Sequence, residues 1–318
     1  MKLGFTADIH IKLGQKNVPV DWAKNRYNLL FDKMEDLESK IDKWVVGGDV
    51  FDKVPTMEEL ELYFNMIARF NKPTIIYPGN HEALKKNTTF LSYLKDISAK
   101  VNRKVLIIDD YYTDEDGIDY LPYNKLKEYN PQDVDFHGDI LCTHVRGEIP
   151  PHVKPEVPLE IFSRWKYVLA GDLHSYDNCQ LNILYPGSPV TTSFHRSRVD
   201  TGIIVFDTTD FSHTWERLNL PQMLRKTVKV GEHMIAGKDD LIIYEVEGDI
   251  SELSKVEDST LIDKKIVKRS TDTALILDPE MKLEEEVKEY LQYVLELNED
   301  AVAAVLFEMA GYAHEITD

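Results

Sequence analysis

The sequence predicts an α/β protein built on two sheets, with a smaller α+β cap and a pair of terminal helices, and three features lead there. Short apolar runs alternate with amphipathic stretches through most of the chain, the pattern of strands interleaved with helices. Two later runs succeed one another without a long helix between them, as antiparallel strands completing a second sheet do. Beyond residue 222 the pattern changes to strand-like segments around an acidic stretch, then to helical periodicity towards the terminus.

KLGFTA opens the chain as a buried strand, and Leu30, Met34, Leu37 and Ile41 then fall at helical spacing. KWVVGG at 43–48 is a second strand, followed by a helix whose apolar positions are Leu60, Phe64 and Ile67. PTIIYPG at 73–79, KVLIID at 104–109, DILCTH at 139–144 and YVLAGD at 167–172 are further buried strands. LNILYPGS and TGIIVFD are expected to lie antiparallel in the second sheet, closing a first domain over residues 1–222. LIIYEVEG and KKIVKR belong to a cap over residues 223–278, and residues 279–318 form two helices. Leu283, Val287, Tyr290, Leu291, Val294 and Leu295 share a face of the first helix; Val302, Val305, Leu306 and Met309 share one of the second. Such stripes pack on a local sheet or dock a partner helix or coiled coil.

The composition, 43% hydrophobic and 29% charged over 318 residues, excludes a disordered chain and leaves room for one large domain with an appendage. Cys142 and Cys179 are too few for a disulfide framework and lack zinc-ligand spacing, which fits a reducing cytoplasm. MKLGFTADIH is not a signal peptide, and no apolar run approaches the roughly 20 residues that span a bilayer, so no membrane role is expected. The net charge of −19 argues against a broad basic face gripping nucleic acid. Positive charge must then come from bound metal, from a partner, or from local groups such as Lys12, Lys16, Lys24, Arg26, Lys85 and Lys86. His195, with Arg196 and Arg198, either meets a phosphate or lies in an exposed loop.

The chemical signal lies in the polar residues placed just after the strands: Asp8 and His10; Gly48, Asp49 and Asp52; Gly79, Asn80, His81 and Glu82; His144; Gly171, Asp172 and His174. Taken singly, an Asp after a strand is commonly a helix cap and a His a satisfied core residue. As a set they are expected to gather at the carboxyl end of a sheet, where α/β folds bind ligands. Alternation points Asp8 and His10 the same way, and the two oxygens of Asp49 can bridge two ions. Carboxylate, amide and imidazole donors together suit manganese or a similar first-row ion.

At these residues the chain resembles the calcineurin-like metallophosphoesterase superfamily over residues 1–210, through D-x-H, G-D-x-x-D, G-N-H-D/E, an isolated histidine and G-H-x-H. Within it, GDVFD, PGNHE and YPGSPVTTSF at 185–194 are similar to the SbcD-type nuclease subunit, in a bacterial or bacteriophage version. The resemblance implies an αββα sandwich in which Asp8, His10, Asp49 and His174 hold one divalent ion and Asp49, Asn80, His144 and Asp172 a second, manganese before magnesium. It implies that His81 is the catalytic histidine near the leaving group. It further implies double-strand exonuclease and single-strand endonuclease activity in DNA repair, recombination or replication, inside the bacterial cell or phage-infected host. The implied partners are DNA and an SMC-like ATPase subunit, with a homodimer of nuclease chains inside a heterotetramer.

One departure stands out: Asp172 occupies the place of the first histidine of G-H-x-H, which brings the site's carboxylates to three with Asp8 and Asp49. Three carboxylates hold cations tightly and weaken the cations' pull on water and substrate. CTHV also lacks the glycine common before the isolated histidine. Glu82 is expected to orient His81, cap a helix or face solvent, and Asp52 to fix an imidazole. Two other classes compete: the same chemistry on a small phosphomonoester, cyclic nucleotide or phosphoprotein, and a binding module with a degenerate site. YPGSP and the long C-terminal extension favour the nuclease.

Overall fold

The computed structural model describes residues 1–85, 88–267, 282–295 and 297–315. The chain divides into two compact units, residues 1–245 with 258–264, and residues 246–257 with 265–318. Among the described residues no helix is long and apolar enough to cross a membrane.

The larger unit is built on two sheets. Strands β1 (Lys2–Thr6), β2 (Lys43–Gly47) and β3 (Thr74–Tyr77) run parallel in the first; the short hairpin β4 (Ala83–Lys85) and β5 (Thr88–Thr89) leads to its edge strand β6 (Val105–Ile107). The second contains β7 (Tyr112–Thr113), β8 (Ile118–Leu121), β9 (Ile140–His144), β10 (Tyr167–Gly171) and β11 (Ile183–Leu184), parallel except for β7. Strands β12 (Gly202–Asp207) and β13 (His213–Arg217) return to the first sheet, giving the order β13-β12-β1-β2-β3-β6 beside β11-β10-β9-β8-β7. Strands β14 (Met223–Lys229), β15 (Leu241–Gly248) and β16 (Ile262–Val267) form a separate three-stranded sheet in that order.

Strand β2 is buried along its whole length because both its faces are covered, as its unbroken apolar run requires. Alternation sends Trp44 and Val46 into a core with helices α1 (Val20–Leu37) and α2 (Met57–Arg69), and Val45 into the layer between the sheets. In that layer Leu3, Phe5, Ile75 and Tyr77 meet Ile118, Tyr120, Ile140, Cys142 and Leu169 of the second sheet. Leu121, Leu141, Val168 and Ile183 point outward onto Leu126, Phe162 and Trp165. This fourth layer is thin: after helix α3 (Lys95–Val101) on the first sheet's side, it consists of the one-turn α4 (Tyr123–Leu126) and a 3-10 turn at Leu159–Phe162.

Helix α1 buries Leu30, Met34 and Leu37 as expected, and ends before Ile41, which is also buried. Helix α2 starts at a capping box between Thr56 and Glu59 and buries Leu62, Tyr63, Met66 and Ile67; the expected Leu60 and Phe64 are only partly covered. The expected placement of TGIIVFD in the second sheet is corrected: β12 pairs antiparallel with β1 in the first. Ile203 and Val205 face the helix-side core while Ile204 and Phe206 face the inter-sheet core, so the strand needs cover on both faces, which the free edge of β1 offers. LNILYPGS contributes only the two residues of β11, and these run parallel to β10.

Strand β8 is not among the strands expected from the sequence, because Asp119 interrupts its apolar run. The structure buries that carboxylate completely and satisfies it with Trp165 Nε1 at 2.8 Å, Gly138 N at 2.9 Å and Thr113 Oγ1 at 2.7 Å.

The smaller unit contains α5 (Ile250–Leu253), α6 (Leu283–Glu289), a π turn at Tyr290–Val294 and α7 (Glu299–Glu315). Of the expected stripes, Leu291 and Val302 are buried while Tyr290, Leu295 and Val305 are exposed. Lys86 and the side chains of Leu283 and Val294 lie outside the described residues.

Candidate metal centre

The polar residues singled out in the sequence stand at the carboxyl ends of β1, β2, β3, β9 and β10. They do not share one sheet edge, as expected, but span two: three strands belong to the first sheet and two to the second. The facing sheets bring both sets of ends together, and His144 crosses between them by donating Nδ1–H to Gly47 O at 2.9 Å, which turns its Nε2 to the centre.

The backbone is bent sharply here. Asp8, His10 and Asp49 have φ of 55°, 48° and 51°, left-handed conformations that side chains of this size adopt at a cost of order 1–3 kcal/mol each. They are held by Asp8 N donating to Gly48 O (3.1 Å) and His10 N to Asp49 O (2.9 Å). Gly79 is required by proximity, since a Cβ there would sit 2.2 Å from Asp49 Oδ1.

The side chains converge on a small volume. His10 Nε2 lies 3.2 Å from His174 Nε2, 3.6 Å from Asp49 Oδ2 and 3.9 Å from Asp8 Oδ1, while His174 Nε2 is 3.7 Å from Asp8 Oδ1. On the other side His144 Nε2 is 3.5 Å from Asp49 Oδ2 and 3.1 Å from Asn80 Oδ1. Among the described residues three groups could hold a metal ion: Asp8, His10 and His174; His10, Asp49 and His81; Asp8, Asp49 and His144.

Two observations fit divalent cations here. Asn80 turns its carbonyl oxygen towards the Asp49 carboxylate, which has no proton to give it; this contact is satisfied by a cation between them, or by exchange of the amide's O and N. The facing Nε2 atoms of His10 and His174 likewise suit a shared electrophile better than each other. Oxygen and imidazole donors of this kind fit a first-row divalent ion.

Electrostatics reflects the crowding. Burial, then the charge of Asp49, pushes Asp8 up to about 8, although His144 opposes it. Burial would also raise Asp49, but the charge and hydrogen bond of His144, with His10 and His81, hold it well below the carboxylate range. Burial lowers His144, yet Asp49, Asp8 and Asp172 outweigh it and bring this histidine up to about 10. His10 is pushed down to about 3 by burial, and His174 is lowered for the same reason.

Several side chains fix this arrangement. Glu82 is fully buried and accepts from the backbone N–H of Asp49 (2.9 Å), Phe51 (2.9 Å) and Gly79 (2.8 Å), tying the turn after β2 to the turn after β3. Of the three roles expected for it, none is this one. Tyr27 donates to His10 O at 2.6 Å and Ser188 to Asp8 O at 2.7 Å. His81 donates its backbone N–H to Asp49 Oδ1 at 2.9 Å, and its Nδ1 to the Asp52 carbonyl at 2.6 Å. Asp52 fixes the His81 imidazole through this backbone carbonyl and not through its carboxylate: Oδ1 stands 3.9 Å from His10 Nδ1, which is buried without a hydrogen-bond partner among the described residues, and the other oxygen pairs with Lys12 at 2.8 Å.

Asp172 stands apart from the three groups. Its carboxylate is 3.9 Å from His144 Nε2 but pairs with Arg146, a residue without a motif to mark it in the sequence. Of the expected basic fringe, Arg26 is buried against Thr191 O and Lys12 pairs with Asp52, while Lys16 and Lys85 are exposed; beside His195, Arg196 pairs with Glu245 and Arg198 with Asp240. His195 engages Met223 and Arg225 through its backbone.

The family model described as calcineurin-like phosphoesterase matches residues 1–180. "Probable exonuclease subunit 1" of Escherichia phage T5 is 37% identical over 99% of this chain and 99% of its own. "Putative phosphoesterase 244L" of Invertebrate iridescent virus 6 is 24% identical over 73% of this chain and 86% of its own. A solved archaeal phosphodiesterase superposes with a TM-score of 0.39 at 14% identity, covering 69% of this chain and 100% of that one. The chain belongs to the calcineurin-like phosphoesterase family.

Proposed function

We propose that this chain is a two-metal DNA nuclease, the hydrolytic subunit of a complex with an SMC-like ATPase. The observation that carries the chemistry is the convergence of Asp8, His10, Asp49, Asn80, His144 and His174 on the shared carboxylate of Asp49. The substrate reading is supported by the full-length relative named as an exonuclease subunit. Its numbering as subunit 1 supports a partner chain, and the exposed apolar Val305 and Phe307 of α7 suit docking. In this reading residues 1–222 carry the chemistry, 223–278 cap it and 279–318 dock the ATPase, with two nuclease chains in the assembly.

Asp8, His10, Asp49 and His174 would hold one divalent ion, and Asp49, Asn80 and His144 the other, manganese before magnesium. When bound, such a pair supplies an activated water and Lewis-acid stabilisation of charge on the phosphodiester oxygens. The chain's own contribution is clearest at His81. With Nδ1 anchored on the Asp52 carbonyl, Nε2 is the atom left to exchange a proton, and it stands 3.9 Å from Asp49 Oδ2. Protonated there, the ring gives its proton to the departing oxygen. Packing edge-on against His10, with centroids 4.7 Å apart, keeps the ring at this station. Asp49 positions the same residue a second way, through the His81 backbone N–H.

The test is cleavage of linear double-stranded and single-stranded DNA beside a chromogenic phosphodiester, with manganese, after chelation, and in His81→Ala. Manganese-dependent DNA cleavage that the variant loses supports the proposal. Cleavage of the small ester alone, with and without an ATPase subunit, replaces it with a small-phosphoester hydrolase.

A further inference from the structure

We infer that Arg146 is the phosphate-recognising arm of this centre and that Asp172 serves to hold that arm rather than a metal ion. The inference rests on the phosphodiesterase reading above and assigns a substrate contact within that site.

Strands β9 and β10 run parallel with Gly171 opposite His144, so the residues just beyond them, Arg146 and Asp172, leave the sheet side by side. Arg146 donates Nε to Asp172 Oδ2 at 3.1 Å and Nη2 to Oδ1 at 3.4 Å, a fork matched to a carboxylate. With both oxygens engaged, the Asp172 side chain is 6% exposed; the Arg146 side chain is 42% exposed. The acidic end of the pair is therefore closed and the cationic end open. Among the described residues no other side chain accepts from the guanidinium, which keeps spare N–H donors towards solvent.

The arm is fixed at its root and close to the chemistry. Arg146 N donates to Glu156 Oε1 at 3.2 Å, and Glu156 is itself held by Tyr123 at 2.9 Å. Asp172 N donates to both oxygens of Asp8 at 3.1 Å. Asp172 Oδ1, which accepts from Nη2, lies 3.9 Å from His144 Nε2, so one carboxylate oxygen separates the guanidinium from the centre. A third carboxylate packed beside Asp8 and Asp49 needs a cation, and the guanidinium supplies it. An arriving phosphodiester offers the same fork a second anionic partner on its open side.

Arg146→Ala, Arg146→Lys and Asp172→Asn are compared by three measurements: manganese binding to metal-free protein by calorimetry, inhibition by inorganic phosphate, and kcat/KM on the chromogenic phosphodiester. Losing charge-assisted hydrogen bonds to a phosphoryl group weakens phosphate inhibition and raises KM in Arg146→Ala by about 10- to 100-fold. Manganese stoichiometry is unchanged in that variant. Arg146→Lys recovers part of the loss, since it keeps the charge without the fork. Asp172→Asn still binds two manganese ions, while phosphate inhibition weakens by about 3- to 10-fold, less than in Arg146→Ala, because the amide keeps one of the two oxygens that hold the guanidinium. Loss of one ion in Asp172→Asn makes Asp172 a ligand and overturns the inference. So does unchanged phosphate affinity in Arg146→Ala, or an equal loss in both variants, which is the mark of a structural ion pair. Failure of the wild type to hydrolyse any phosphodiester overturns the functional reading instead; calorimetric titration of inorganic phosphate into manganese-loaded wild type and Arg146→Ala then decides the role of Arg146.

Discussion

Glu82→Gln tests whether one buried carboxylate sets the geometry of the centre. Oε2 accepts the N–H groups of Asp49 and Gly79 and Oε1 that of Phe51, so the carboxylate braces two turns that carry Asp49, Asn80 and His81. A glutamine retains one acceptor oxygen and must turn its NH2 towards at least one backbone N–H, leaving a buried donor unpaired at a cost of about 1–3 kcal/mol. The pH dependence has a definite sign. Burial, then the charge of Asp49, raises Glu82 from 4.5 to about 7. Its contribution is full below 4.5 and is lost as pH rises through about 7, a change on the order of 3 kcal/mol at about 1.4 kcal/mol per unit. Urea denaturation of metal-free protein between pH 5 and 8 should show the wild type losing this increment and Glu82→Gln losing less. Manganese calorimetry on the same variant should show weaker binding at both sites. A variant within about 0.5 kcal/mol of wild type at both pH values, with unaltered manganese affinity, would refute the bracing argument.

His81→Ala should lower kcat by about 100-fold or more while two manganese ions remain bound, because its proton-transfer role is separable from the ligand set; calorimetric loss of an ion would make it a ligand. Manganese uptake at pH 7 should release protons, since Asp8 titrates at about 8 and His144 at about 10 and both must deprotonate to bind metal. Affinity then rises with pH between 6 and 9, and calorimetry in buffers of different ionisation enthalpy counts the protons. Both groups lie above their ordinary values of 3.8 and 6.5, so the metal-free protein alone should lose stability as pH climbs through 8 towards 10, which thermal unfolding reports. Gly79→Ala drives a methyl group against Asp49 Oδ1 and should destabilise the fold by about 1–3 kcal/mol while weakening manganese binding, measured by denaturation and calorimetry on one preparation.

The candidate site was legible because metal chemistry restricts residue type and strands restrict position. Asp8, His10, Asp49, Asn80, His144 and His174 are the few polar groups placed directly after apolar runs, and parallel strands deliver the residues at their carboxyl ends to a common place. Division of those strands between two sheets was not legible, since an apolar run records that both faces are covered and not which strand lies beside it. TGIIVFD could fill an edge of either sheet, and the choice of β1 depends on non-local packing against α1 and the second sheet. The role of Glu82 is hidden for the opposite reason: a carboxylate beside a histidine in sequence suggests a partner for that histidine, whereas its three partners are backbone N–H groups, which sequence does not distinguish.

The acidic total of −19 takes on a different meaning beside this site. Some of the cations that flank the motifs in sequence are spoken for: Arg26 is buried, Lys12 answers Asp52, and Arg196 and Arg198 answer Glu245 and Asp240, while Lys16 and Lys85 stay exposed. Beside the centre, the exposed side of Arg146 offers positive charge, and bound metal would add more. A net charge of −19 opposes the approach of a polyanion, so the local attraction falls to exposed cations such as these. Under the proposed nuclease reading, a partner chain that supplies further cations would offset that repulsion.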